Sequence, residues 1–144
     1  MLDAPTNTAW WALRLTYGLV PIVAGLDKFT NLLTDWAQYL SPVAMQAIPV
    51  SATTFMYVVG VIEIIAGLLV LTPRLMRIGA YVVSAWLLAI AVNLVLARFY
   101  DIAVRDVVMA IGAFALAKLS ESRQHAPELT ERRAYGFRTA RARA

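Results

Sequence analysis

Glu63 is the only ionisable side chain in VVGVIEIIAGLLVL, residues 58–71. A carboxylate in so apolar a setting is costly unless it pairs with a base or exchanges a proton. Two other apolar runs are interrupted in the same way, AWWALRLTYGLV by Arg14 and YDIAVRDVVMAIGAFALAKL by Arg105 and Asp106. Two chemistries fit such residues. Glu63 and Asp106 are candidate catalytic groups, able to relay protons. Arg14 and Arg105, with Tyr17, Trp86 and Asn93, are candidates to line a polar cavity and hold a carbonyl or an anion. The competing reading is structural: Arg14 and Glu63 form a buried ion pair that sets helix register.

These residues need elements to hold them, and composition names the solvent. The 144 residues are 60% hydrophobic and 15% charged, with a mean hydropathy of +0.66. That is more apolar surface than a small soluble domain can hide, so a bilayer is expected. Four runs are long enough to cross about 30 Å of hydrocarbon, near 8–27, 53–72, 76–97 and 101–119. No Lys or Arg precedes the first run, and it contains Arg14 and the pair Trp10-Trp11, so it reads as a retained span rather than a secretory signal.

The expected fold is all-α, a four-helix integral membrane bundle over residues 1–119 with a basic tail over 120–144. Small residues at packing spacing, Ala80 with Ser84, Ala85 with Ala89 and Ala113 with Ala117, let the helices approach closely. Between the first two spans, Leu32, Leu33, Trp36, Tyr39, Leu40 and Val43 fall on one helical stripe, which predicts an amphipathic helix in the outer interface. That helix either shields the bundle or covers a ligand cavity.

Heights along the spans set the expected pairings. Arg14 lies about six residues, and Glu63 about nine, from the same membrane face, a difference an arginine side chain can bridge. Glu63 is therefore expected within reach of Arg14 or Arg105. Asp101 is a natural N-cap for the fourth span and, at i, i+4, a structural ion-pair partner for Arg105. Asn93 lies at a height matching Arg105 and Asp106, which predicts a polar layer beneath the outer loops.

Charge orients the expected bundle. Nine basic residues, Arg74, Arg77, Lys118 and the six arginines of the tail, lie on the side of the termini, against Lys28, Arg98 and Arg105 on the other. The positive-inside rule then places both termini in the cytoplasm. The basic charge sits at helix ends and in one tail, which fits anionic headgroups better than nucleic acid, so no nucleic-acid partner is expected. The tail, SESRQHAPELTERRAYGFRTARARA, has too few large apolar residues for a core of its own and reads as a solvated or membrane-surface segment, or as a docking segment for a partner.

Some chemistry is excluded for this chain alone. With no cysteine there is no thiolate catalysis, disulfide exchange or iron–sulfur ligation. The single histidine, His125, lies in the tail, so no bis-histidine haem can form within the bundle, and no metal-ligand spacing or phosphate-binding glycine loop occurs.

GLDKF at 25–29, the later Trp36 and YLSP, VGVIEIIAGLLVL followed by PR, AWLLAIAVNL, and YDIAVRDVVMAIGAFALAKL at 100–119 together resemble the DoxX family of small bacterial integral membrane proteins. The resemblance covers residues 11–119 and excludes the tail. It implies a four-helix membrane protein of the bacterial inner membrane with a link to redox metabolism. The family is named for the association of relatives with a thiosulfate:quinone oxidoreductase, and other relatives attach to oxidative-stress assemblies. The positions that carry the resemblance are Arg14, Gly25, Lys28, Glu63, Asp101, Arg105 and Asp106.

Two functions follow as expectations. In one, the chain is a small membrane subunit or accessory of a quinone-linked redox complex, at most the membrane subunit of an oxidoreductase, with other subunits as partners and a quinone as the compatible cofactor. In the other it is a non-catalytic membrane anchor, assembly factor or scaffold. A homo-oligomer is compatible with both.

Overall fold

The apolar runs become helices close to the expected limits. In the computed structural model, which describes residues 4–141 with side chains described to Arg123, α1 spans Ala4–Asp27, α2 Pro42–Ala47, α3 Ala52–Leu71, α4 Met76–Leu96 and α5 Tyr100–Arg141. A short 3-10 turn, Trp36–Tyr39, precedes α2, and the described residues contain no strand. The expected all-α class is what forms. Three helices, α1, α3 and α4, are long and apolar enough to cross a membrane. The run at 101–119, expected as a fourth span, is the first half of α5, where Asp101, Arg105 and Asp106 raise the charge.

The helices alternate in direction. α1 packs along α3, α3 on α4 and α4 on α5, and a smaller contact of α5 with α1 closes the group of four. Leu15, Leu19, Val23 and Leu26 of α1 and Val58, Val61, Ile65 and Leu68 of α3 point outward. Such a surface suits lipid contact. On α5, Val104, Val108, Ile111 and Phe114 make an exposed apolar stripe, while Ala103, Ala110, Ala113, Leu116 and Ala117 are buried. Ala80 and Ser84 are buried as expected from their spacing, and the Ser84 hydroxyl donates 2.9 Å to the Ala110 carbonyl. Ala85 and Ala89, by contrast, are exposed.

The expected interfacial helix does not form as one piece. Ser41 caps α2 by accepting from the Ala44 amide at 3.1 Å, and Pro42 occupies the first turn. A helix running in from residue 32 would need the amide that proline lacks. Leu32 and Leu33 remain 84% and 70% exposed. Only the later part of the stripe packs: Leu40 is buried with Met56 and Val59 of α3, and Trp36 lies against them. This connection roofs one end of the bundle, called here the loop end; the opposite end carries the start of α1 and the turn between α3 and α4.

Helix ends explain two unusual backbone positions. Arg98 takes φ 66° just after α4, and the Phe99 amide returns to the Leu94 carbonyl at 2.9 Å, the arrangement that satisfies carbonyls left over at a helix C-terminus. Asn31, at φ 50°, turns the chain after α1, with its amide on the Asp27 carbonyl at 2.6 Å. Asp101 does not cap α5, which begins one residue earlier; it sits in the first turn, where a carboxylate still favours the helix dipole. α5 runs without a break beyond Leu119, so the basic segment continues the helix. What its side chains face beyond Arg123 lies outside the described residues.

Candidate functional site

Glycine lets α1 and α3 come close enough to place a charge pair between them. A Cβ on Gly25 would stand 2.5 Å from the Gly60 carbonyl oxygen, and one on Gly60 2.6 Å from that of Gly25. One heptad away, Gly67 lies against the Gly18 carbonyl in the same fashion. Antiparallel helices tilt their side chains in opposite axial directions. Lys28, whose amide still bonds the Ala24 carbonyl at 3.2 Å, therefore leans back into the bundle, and Glu63 leans toward the loop end.

They meet. The Lys28 Nζ donates to Glu63 Oε2 at 2.6 Å, with the residues only 4% and 6% exposed. The expected partners of Glu63, Arg14 and Arg105, are engaged elsewhere. Arg14 Nε donates to the Val70 carbonyl at 3.3 Å and its Nη2 to that of Leu71. It thus satisfies carbonyls at the C-terminus of α3 and complements that end of the dipole. Both Trp10 and Trp11 hold its guanidinium, each ring centroid at 5.1 Å. Arg105 bonds the adjacent Asp106, Nε to Oδ1 at 3.3 Å, instead of Asp101. The expected Asp101–Arg105 pair is absent.

A roof covers the pair. The Lys28 ammonium sits 3.7 Å from the centre of the Trp36 ring, a cation–π contact strengthened by desolvation. Asp27 holds that ring in place, accepting from Trp36 Nε1 at 2.7 Å, from the Leu32 amide at 2.9 Å, from the Leu33 amide at 3.1 Å and from the Thr30 hydroxyl at 3.2 Å. The ordered carboxylate of Asp27 and the roofing ring belong to one local network, which begins where α1 ends.

Other groups complete the cluster. Asp106 is buried on α5, near enough to Glu63 and Lys28 to interact with both electrostatically. Trp86 of α4 approaches the Glu63 carboxylate, yet its indole N–H is buried and falls outside hydrogen-bond geometry with any partner. A buried donor left open in this way is exceptional. Lys28, Glu63, Asp106 and Trp86 thus come together from or next to four helices, with Arg105 at the edge.

Three expected cavity residues lie apart from this group. Arg14 is at the other end. Tyr17 packs on the core of Trp10, Val70, Leu116 and Ala117, with its hydroxyl against Gly112. Asn93 anchors the roof: its Oδ1 accepts from the Ser41 amide at 3.0 Å and its Nδ2 donates to the Tyr39 carbonyl at 2.8 Å. Lys28, Asp27 and Trp36 are not among the expected site residues. The signal for the first two is GLDKF, where a lysine follows directly on an apolar span beside a glycine able to bring a second helix near, whereas Trp36 belongs to the expected outer stripe.

Just past the expected fourth span, Glu121 accepts from the Tyr81 hydroxyl at 2.7 Å and from Lys118 Nζ at 3.0 Å. These donors hold its carboxyl below the usual carboxylate range.

Membrane-spanning helices around a buried, roofed ion cluster define a small integral membrane protein. The profile of the DoxX family matches residues 9–97, more than half of the chain, and the protein belongs to that family. The matched segment contains Arg14, Lys28, Glu63, Trp86 and Asn93 and stops before α5, so Arg105 and Asp106 lie outside it. No curated protein and no solved structure matches the chain.

Proposed function

We propose that this DoxX protein is a small membrane subunit or accessory of a quinone-linked redox complex, and that the cluster at Lys28, Glu63, Asp106 and Trp86 is where a quinone head group is held. The observation that carries this reading is the open N–H of Trp86, buried beside a paired Lys28 and Glu63. A carbonyl oxygen fits the donor set: Trp86 Nε1 and the Lys28 ammonium can donate to it without a new charge being buried. A bound quinone supplies two-electron chemistry in which its oxygens take up and release protons. Glu63 and Asp106 are the groups of this chain that can hold those protons, and the Trp36 roof keeps bulk water from the Lys28 side of the pair.

The scaffold reading is favoured by the Lys28–Glu63 contact itself, which is complete without a ligand. Extraction and mass spectrometry of the protein, purified in mild detergent with its co-purifying chains, separate the two. The expected result is a quinone on the wild type and its loss from Trp86→Phe, which keeps the ring and removes the donor. Wild-type protein that carries no quinone, alone or with its partners, leaves the anchor, assembly factor or scaffold as the function.

The same proposal includes a bacterial inner-membrane location, with α5 as a fourth span over 101–119, residues 120–144 as a basic cytoplasmic segment and both termini in the cytoplasm. The exposed stripe of Val104, Val108, Ile111 and Phe114 supports the fourth span, and the balance of basic residues supports the orientation. In intact cells, Ala140→Cys is expected to resist an impermeant thiol reagent and to react once the membrane is opened. Labelling from outside reverses the orientation.

A further inference from the structure

A second cluster lies at the end of the bundle away from the roof, and neither the Lys28–Glu63 pair nor a quinone accounts for it. Trp10 is buried, and its indole N–H donates to the Ser120 hydroxyl at 3.2 Å, which in turn donates to the Leu116 carbonyl at 2.6 Å. Its ring is fixed by these bonds. Two guanidiniums gather on that ring, Arg14 at 5.1 Å and Arg123 at 3.9 Å from its centre. They are close enough for their like charges to repel.

Neither guanidinium is hydrogen bonded to a carboxylate among the described residues. Arg14 spends Nε and Nη2 on α3 carbonyls. The carboxylate of Glu121 accepts from Tyr81 and Lys118. Arg123 goes further: its Nη1 is buried and has no hydrogen-bond partner. Like charges held together with a desolvated, open donor form an incomplete arrangement that an anion would complete.

We propose that Arg14 and Arg123, gathered on Trp10, form a site for an anionic phosphate group. The planar fork of arginine suits phosphate oxygens, which accept two parallel N–H bonds from one guanidinium. The level in the membrane fits a phospholipid headgroup: the cluster lies beside Leu71, the last residue of α3, where the apolar run ends, and Trp10-Trp11 are residues typical of that boundary. Arg14 caps a helix and Arg123 does not, so the two contribute unequally. Arg14 supplies a fixed wall, and Arg123 supplies the open donor.

The full chain in detergent, mixed with phosphatidylglycerol or phosphatidylcholine and read for retained lipid by native mass spectrometry, tests this. Wild type is expected to keep the anionic lipid in preference. Arg123→Gln, with its melting curve as the folding control, is expected to weaken that retention roughly fivefold, the factor set by about one arginine near a membrane surface. Arg132→Gln removes the same charge without removing the buried donor and is expected to weaken retention less. If inorganic phosphate shifts the melting of wild type but not of Arg123→Gln, and lipid charge makes no difference, the site is one for soluble phosphate. The proposal is overturned if Arg123→Gln retains phosphatidylglycerol as wild type does, if Arg132→Gln weakens it equally, or if wild type responds to neither ligand.

Discussion

Lys28→Met and Glu63→Leu are each expected to destabilise the protein by about 3–5 kcal/mol, and the double replacement to recover much of that loss. Either single change leaves its partner charged and buried between α1 and α3, where neither residue is more than 6% exposed. The two cases differ in their remaining neighbours. Lys28 left alone still feels Asp106 and the Trp36 ring, whereas Glu63 left alone faces Asp106, a like charge, and only the indole N–H of Trp86 nearby. Lys28→Met is therefore the costlier of the two. Unfolding of all three variants in detergent gives the coupling energy directly. Equal stability across the series shows that the pair contributes nothing. The ranking also separates this pairing from one with Arg14, since Arg14→Leu removes bonds to Val70 and Leu71 and leaves Glu63 unaffected.

Glu63 pairs with Lys28 and not with Arg14 for a reason that a sequence does not display. The spans were legible because a bilayer needs long unbroken apolar runs, and three such runs at 8–27, 53–72 and 76–97 match α1, α3 and α4 closely. Counting residues from the ends of those spans gives a height for each backbone position, and by that measure Arg14 and Glu63 looked level. Side-chain contact depends also on the tilt of each Cα–Cβ bond and on how near two backbones come. Lys28, counted as an outer charge, leans inward by that tilt, and Gly25 and Gly60 shorten the gap it must cross. The outer stripe failed for a local reason. Its period was helical, but Asp27 captures the amides of Leu32 and Leu33, and the Ser41-Pro42 cap starts a new helix. Trp86 and Asp106 do come to lie beside Glu63, because a large amphipathic ring and a carboxylate inside apolar runs have few other places to go.

Gly60→Ala is expected to cost about 1–3 kcal/mol, in the range of an overpacked core, although alanine is the better helix former by about 1 kcal/mol. The sign turns on what the new methyl meets. It would lie 2.6 Å from the Gly25 carbonyl oxygen, 3.1 Å from Phe29 Cε2 and 3.2 Å from Lys28 Cβ. The first is backbone and cannot rotate aside, so the helices must separate, and the 2.6 Å Lys28–Glu63 contact loosens with them. Gly112→Ala provides the contrast, since its methyl meets the hydroxyl end of the Tyr17 side chain and no backbone. That variant is expected to cost less than Gly60→Ala, because a side chain can shift where backbone cannot. Gly60→Ala made in the Lys28→Met, Glu63→Leu background divides its cost into two parts: the share that disappears there is the loosened ion pair, and the share that remains is the backbone collision. If Gly60→Ala is as stable as Gly112→Ala in detergent unfolding, the close crossing of α1 and α3 is wrong, and with it the account of how Lys28 reaches Glu63.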